Sequence, residues 1–112
     1  GGAYQPIGHV SILTNIIDFG MDIQEAGDAA RWTHRGSTQP TDELQNELRD
    51  TGQVNLESGI PYDVVRQLRA KGHKVEVGNA FFGRYQGIRR DHEKEIFYGA
   101  SESRVDGQAA GY

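Results

Sequence analysis

Ile60-Pro61-Tyr62-Asp63-Val64-Val65-Arg66-Gln67-Leu68-Arg69-Ala70-Lys71-Gly72-His73-Lys74-Val75-Glu76-Val77 changes its period part-way along. In the first half Val64, Val65 and Leu68 recur at the spacing of one helical face. Pro61 suits a first turn, where a missing N–H has no partner to lose, and Asp63 suits the positive end of a helix. Lys71-Gly72 closes the run. In the second half Val75 and Val77 alternate with Lys74 and Glu76, the period of a half-covered strand. The stretch predicts a helix over 61–72 that passes through a glycine turn into a strand.

Working outward, Val54 and Leu56 alternate with Asn55 and Glu57, which predicts a short strand before a turn at Gly59. Residues 85–89, flanked by glycines, and the apolar, aromatic 96–98 predict two more strands. Asp91-His92-Glu93-Lys94 between them reads as a charged hairpin turn. Towards the N-terminus, Val10, Ile12, Leu13, Ile16 and Ile17 fall at helical spacing, predicting a helix over about 8–19 with one buried face and Gly20 as its stop. Asp22 with Glu25 three residues on has the form of a capping box, and Ile23, Ala26 and Ala30 give a second short helix an apolar face to about Arg31. Residues 32–51 turn polar and read as a loop, with Leu44 and Leu48 marking a brief helical turn. Residues 101–112 are small, polar and loop-like. This order of elements is an α+β arrangement, helices packed on a mostly antiparallel sheet.

The chain has 112 residues, enough for one modest core. Mean hydropathy of -0.67 and 36% hydrophobic residues are low for a free-standing enzyme of this size, so part of the surface is expected to be covered by something else. Fifteen glycines, about twice the usual share, imply many close backbone approaches. The net charge of -4 and the mere three arginines between Arg84 and Arg90 argue against a nucleic-acid partner. No apolar run reaches the roughly 18 residues of a membrane span; Val10 to Phe19 is broken by Ser11, Thr14, Asn15 and Asp18. Without cysteine there is neither disulfide nor thiolate chemistry, and periplasmic, secreted and cytoplasmic settings fit alike. A chain that starts Gly1-Gly2 without Met leads us to expect an upstream segment.

Little in the chain is catalytic by type and spacing. His9, His34, His73 and His92 lie apart, so no metal and no cofactor is expected. Asp22 and Glu25 are explained by capping, and Asp18 and Asp28 by a solvated surface. Ser11, Thr14, Thr33 and Ser101 lack the surroundings of an activated nucleophile. Gly1-Gly2 differs, because adjacent glycines ahead of a helix let two backbone amides approach a substrate oxygen; alone, the pair is a weak signal and reads first as a flexible turn.

Several segments together, in order and across nearly the whole chain, resemble the end of the small subunit of gamma-glutamyltransferases, which are N-terminal-nucleophile hydrolases. Gly1-Gly2 resembles the family's Pro-Gly-Gly loop. Asn15, Phe19-Gly20-Met21, Gln24-Glu25-Ala26 and Ala29-Ala30-Arg31 resemble its helix, Gly-Met turn and Ala-Pro-Arg stretch. The segment from Leu68 to Val75 resembles its Gly-His-x-Val element. Gly99-Ala100-Ser101-Glu102-Ser103-Arg104-Val105-Asp106-Gly107 with Gly111-Tyr112 resembles its Gly-Ala-Ser-Asp-Pro-Arg-x-Asp-Gly terminus. Two prolines of those motifs are absent: Ala30 stands in one place and Ser103, after Glu102, in the other.

The resemblance implies a C-terminal segment, residues 1–112, of a four-layer αββα sandwich completed by the remaining small-subunit segment and the large subunit. It implies acyl transfer or hydrolysis of γ-glutamyl or related amides by an N-terminal threonine that precedes Gly1-Gly2, so the segment alone is expected to be inactive. Gly1 and Gly2 are the only catalytic positions carried over, as oxyanion-hole amides; no substrate-binding residue is assigned. Arg31 and Arg104 are expected to tie carboxylates or loop carbonyls. Two alternatives stay open: a non-catalytic domain for binding or assembly, and an acylase acting on another amide, to which Gln5-Pro6-Ile7-Gly8-His9 points. Exposed sheet surface would make the fragment self-associate.

Overall fold

The computed structural model describes residues 2–36, 52–78 and 80–111. The expected turn at Leu44 and Leu48 lies outside these residues, as do Gly1 and Tyr112. The chain divides into two compact units, residues 30–81 and residues 1–29 with 82–112.

Unit 30–81 contains β1 (Trp32–Arg35), β2 (Gln53–Leu56), α3 (Tyr62–Ala70) and β3 (Lys74–Val77). The strands form a sheet in the order β1-β2-β3, β1 antiparallel and β3 parallel to β2. The helical crossover of α3 is what allows the parallel pair. Alternation places Val54 and Leu56 beside Val75 and Val77 on one face, and Leu56, Val65 and Val75 are the core there, flanked by Val54, Ile60 and Leu68. The helix starts one residue later than expected, with Pro61 as its N-cap. It ends as the sequence indicates: the N–H of His73 reaches the Leu68 carbonyl and that of Gly72 the Arg69 carbonyl, with Gly72 at φ +92. This is a Schellman end, which needs a left-handed residue at Gly72. Arg69 then donates to the Val75 carbonyl at 2.8 Å, fastening the last turn to β3.

The assignment of 32–51 to a loop is corrected at its start. Residues 32–35 pair with β2 in a full register, from Trp32 opposite Leu56 to Arg35 opposite Gln53. Trp-Thr-His-Arg carries no alternation of its own, and the ladder to β2 makes it a strand, burying Thr33.

Unit 1–29 with 82–112 opens with a 3₁₀ turn, Gly2–Tyr4, followed by α1 (Gln5–Ile17) and α2 (Ile23–Asp28). Helix α1 begins three residues earlier than the apolar spacing suggests, since Pro6 fits its first turn. It also ends earlier, at Ile17, where the Met21 N–H returns to the Asn15 carbonyl. The capping box holds: Asp22 Oδ1 accepts the N–H groups of Gln24 and Glu25, both at 2.8 Å, and the Asp22 N–H donates to Glu25 Oε2 at 3.0 Å. Helix α2 stops at Asp28 rather than near Arg31, because Ala29 is extended and its carbonyl is taken by Arg104.

The hairpin β4 (Gln86–Asp91) and β5 (Ile96–Ser101) is antiparallel and longer than expected at both strands. Its charged turn is confirmed, with Asp91 Oδ1 accepting the N–H of Glu93 and of Lys94. The β5 residue Ala100 and the α2 residues Ile23 and Ala26 are buried. The described strands thus form two sheets, with antiparallel pairs outnumbering the parallel one, and the α+β expectation stands. The expected buried face of α1 does not: Val10, Leu13 and Ile17 are 65%, 55% and 72% exposed, and no described element of their own unit covers them.

Candidate functional site

Of the two predicted oxyanion amides, Gly1 lies outside the described residues and Gly2 stands at the head of the helical run. Gly2 is exposed and left-handed, φ +63, and a Cβ there would meet nothing within 4 Å. Its backbone is therefore open to an approaching group. The 3₁₀ turn that carries it leads straight into α1, whose amides and dipole favour negative charge at this end.

The turn is anchored by Tyr4, which is buried with its ring against Gly8 and Gly83. Gly83 is needed there twice over: its φ is +77, and a Cβ would stand 2.5 Å from the tyrosine ring. Two residues on, the Tyr85 ring lies on Gly27 of α2 and Gly87 of β4. Four of the close approaches implied by the glycine content, at Gly8, Gly27, Gly83 and Gly87, are thus tyrosine-on-glycine contacts. Sequence reading missed both tyrosines, since their partners lie up to some 80 positions away.

A second set of contacts fastens the residues after β5. Arg104 Nη1 donates to the Gly27 carbonyl at 2.8 Å and to Glu102 Oε2 at 3.2 Å; Nη2 donates to the carbonyls of Asp28 and Ala29 at 3.4 and 2.9 Å. The guanidinium serves the C-terminal carbonyls that α2 leaves open, where a cation is favoured. Arg104 is the tie that sequence reading expected, and buried Glu102 supplies its carboxylate. Gln24 grips Ser101 through its whole amide: Nε2 donates to the Ser101 carbonyl at 2.8 Å and Oε1 accepts its N–H at 3.2 Å. Asp28 accepts from Gln24 Nε2 at 2.7 Å and from the Ser103 N–H at 2.9 Å. These donors, Gln24 first and Ser103 next, hold the Asp28 carboxyl below its ordinary value. The i,i+4 spacing of Gln24 and Asp28 was the available signal for that pair. Arg31 belongs to the other unit, buried, with its N–H donated to Glu57 Oε2 at 2.7 Å and its carbonyl accepting the Glu57 N–H.

A family model for gamma-glutamyltranspeptidase matches residues 1–112. The chain belongs to the gamma-glutamyltranspeptidase family. This is an N-terminal-nucleophile hydrolase family. This gamma-glutamyltranspeptidase-family chain is 36% identical over 104 residues to the glutathione hydrolase proenzyme of Escherichia coli (strain K12), an alignment covering 92% of it and 15% of that protein. It is 38% identical over 105 residues to the glutathione hydrolase proenzyme of Bacillus subtilis (strain 168), covering 90% and 15%. The cephalosporin acylase of Bacillus halodurans superimposes with a TM-score of 0.78 at 38% identity, over 100% of this chain and 19% of that one. The chain spans about 15% of the length of the curated relatives it matches. In the family's terms, Glu102 and Ser103 stand where its terminal motif has Asp-Pro, and the structure gives both a use: Glu102 meets Arg104, and Ser103 donates an N–H that proline lacks.

Proposed function

We propose that residues 1–112 are the C-terminal segment of the small subunit of an amide-cleaving acyltransferase or hydrolase, with γ-glutamyl amides as its substrate class. The nucleophile is an N-terminal threonine supplied by the segment before Gly1, and the large subunit completes the enzyme. The threonine Oγ attacks the amide carbonyl, its proton passing to a base, and the carbonyl oxygen becomes a tetrahedral oxyanion. Gly1 and Gly2 stabilise that oxyanion with backbone N–H groups, each such donor contributing about 3 kcal/mol in acyl-transfer enzymes. Collapse expels the protonated amine and leaves an acyl-enzyme, which water or an amine acceptor resolves.

The observation that carries this reading is the family match over residues 1–112 with Gly2 exposed, left-handed and at the head of a helical run. The open apolar residues Leu13, Ile17, Ile88 and Phe97 support a missing covering segment. The test is to express the complete gene, confirm processing, and assay a γ-glutamyl anilide with and without an amine acceptor. Release of the free aniline supports the reading, and a processed enzyme without that release would sink it. Likeness to the cephalosporin acylase at 38% identity supports a second reading, hydrolysis of a non-glutamyl side-chain amide. A glutaryl anilide lacking the α-amino group separates the two.

A further inference from the structure

The contacts of Tyr4 reach further than packing. It lies two residues after Gly2 and is 8% exposed. A Cβ on Gly8 would stand 2.8 Å from Tyr4 Cε1, and one on Gly83 would stand 2.5 Å from Tyr4 Cδ1. The ring is therefore wedged between α1 and the backbone at Gly83, in gaps that only glycine leaves. Tyr4 is the last residue of the three-residue turn and has backbone on two sides, which restrains the turn that carries Gly2. From Gly83 the chain runs on to Tyr85, whose carbonyl accepts the Glu102 N–H at 3.4 Å and whose ring covers Gly27 and Gly87. The wedge thus rests on a segment that is itself held from α2, β4 and the residues after β5.

We propose that Tyr4 is a positioning residue for acyl transfer: wedged between Gly8 and Gly83, it fixes the direction in which the Gly2 turn presents its amide to the tetrahedral oxyanion. This rests on the oxyanion role of Gly2 proposed above. An oxyanion donor acts because it is aimed before charge develops, and removing one lowers kcat by about 100-fold or more. A turn that is loosened rather than deleted gives up part of that, on the order of tenfold, with little effect on ground-state binding.

The experiment uses the complete processed enzyme with Tyr4→Phe, Tyr4→Ala and Gly83→Ala, assayed on γ-glutamyl and glutaryl p-nitroanilides. Rates are counted per mature subunit, and melting temperature is read beside them. Expected are a kcat about tenfold lower with KM within about twofold for Tyr4→Ala, a smaller loss of the same kind for Gly83→Ala, and rescue by Tyr4→Phe, which keeps the ring. Unchanged kcat in Tyr4→Ala overturns the proposal, as does activity that falls only in step with the folded fraction, which would leave Tyr4 a core residue. If the wild type cleaves neither anilide, the proposed function fails on the parent enzyme and the role of Tyr4 falls with it; failure of Tyr4 alone shows in the variants while the parent stays active.

Discussion

The backbone N–H of Ser103 donates to the carboxylate of Asp28 at 2.9 Å, at a position where the family motif has proline. The residues after β5 are thereby fastened to α2 by a bond that the family's usual residue cannot make. Ser103→Pro in the complete enzyme is expected to lower the melting temperature. Proline at 103 without any loss would contradict the use assigned to this N–H.

That carboxylate is held below its ordinary value by Gln24 and Ser103, which sets a sign for pH dependence. A folded-state pKa depressed below the unfolded value stabilises the fold above the ordinary carboxylate value near 4; the contribution is lost as pH falls through the folded pKa. The melting-temperature difference between wild type and Asp28→Asn is expected to be largest near neutral pH and to shrink below about pH 4. A difference that grows on acidification would contradict it.

Arg104 serves three carbonyls and one carboxylate with a planar fork, a geometry that an ammonium does not reproduce. Arg104→Lys is expected to cost about 2 kcal/mol, leaving buried Glu102 poorly matched. Thermal unfolding measures it, and a change within about 0.5 kcal/mol would show that charge alone suffices.

Val65 is 1% exposed in the core beneath the three-stranded sheet, while its neighbour Val64 is 38% exposed. Val65→Ala is expected to cost about 2 kcal/mol and Val64→Ala less than about 1. Equal effects in calorimetry would contradict the placement of α3.

Residues 1–112 expressed alone expose Leu13, Ile17, Ile88 and Phe97. This fragment is expected to self-associate as concentration rises in sedimentation, and Leu13→Glu with Ile17→Glu is expected to weaken the association. A monomer at every concentration would show that these faces need no cover.

The parts of the fold legible in the sequence are those set by neighbours within one turn. The Asp22 capping box, the glycine end of α3 and the Asp91 hairpin turn each need residues no more than five apart, and each is found. Strand β1 was not legible because its order comes from the ladder to β2, twenty residues away. The exposure of α1 was hidden for a related reason, since spacing shows an apolar face but not whether this chain covers it. Gly2 was singled out by the resemblance alone and its oxyanion role is a proposal, whereas Tyr4 and Tyr85 were hidden because a tyrosine on a glycine leaves no periodic trace.

The most direct measurement is N-terminal sequencing with intact mass of the mature complete gene product. A chain that begins with threonine and ends in this segment is the expected result and places the nucleophile ahead of Gly2; a mature product with no threonine-led chain would contradict acyl transfer by this protein.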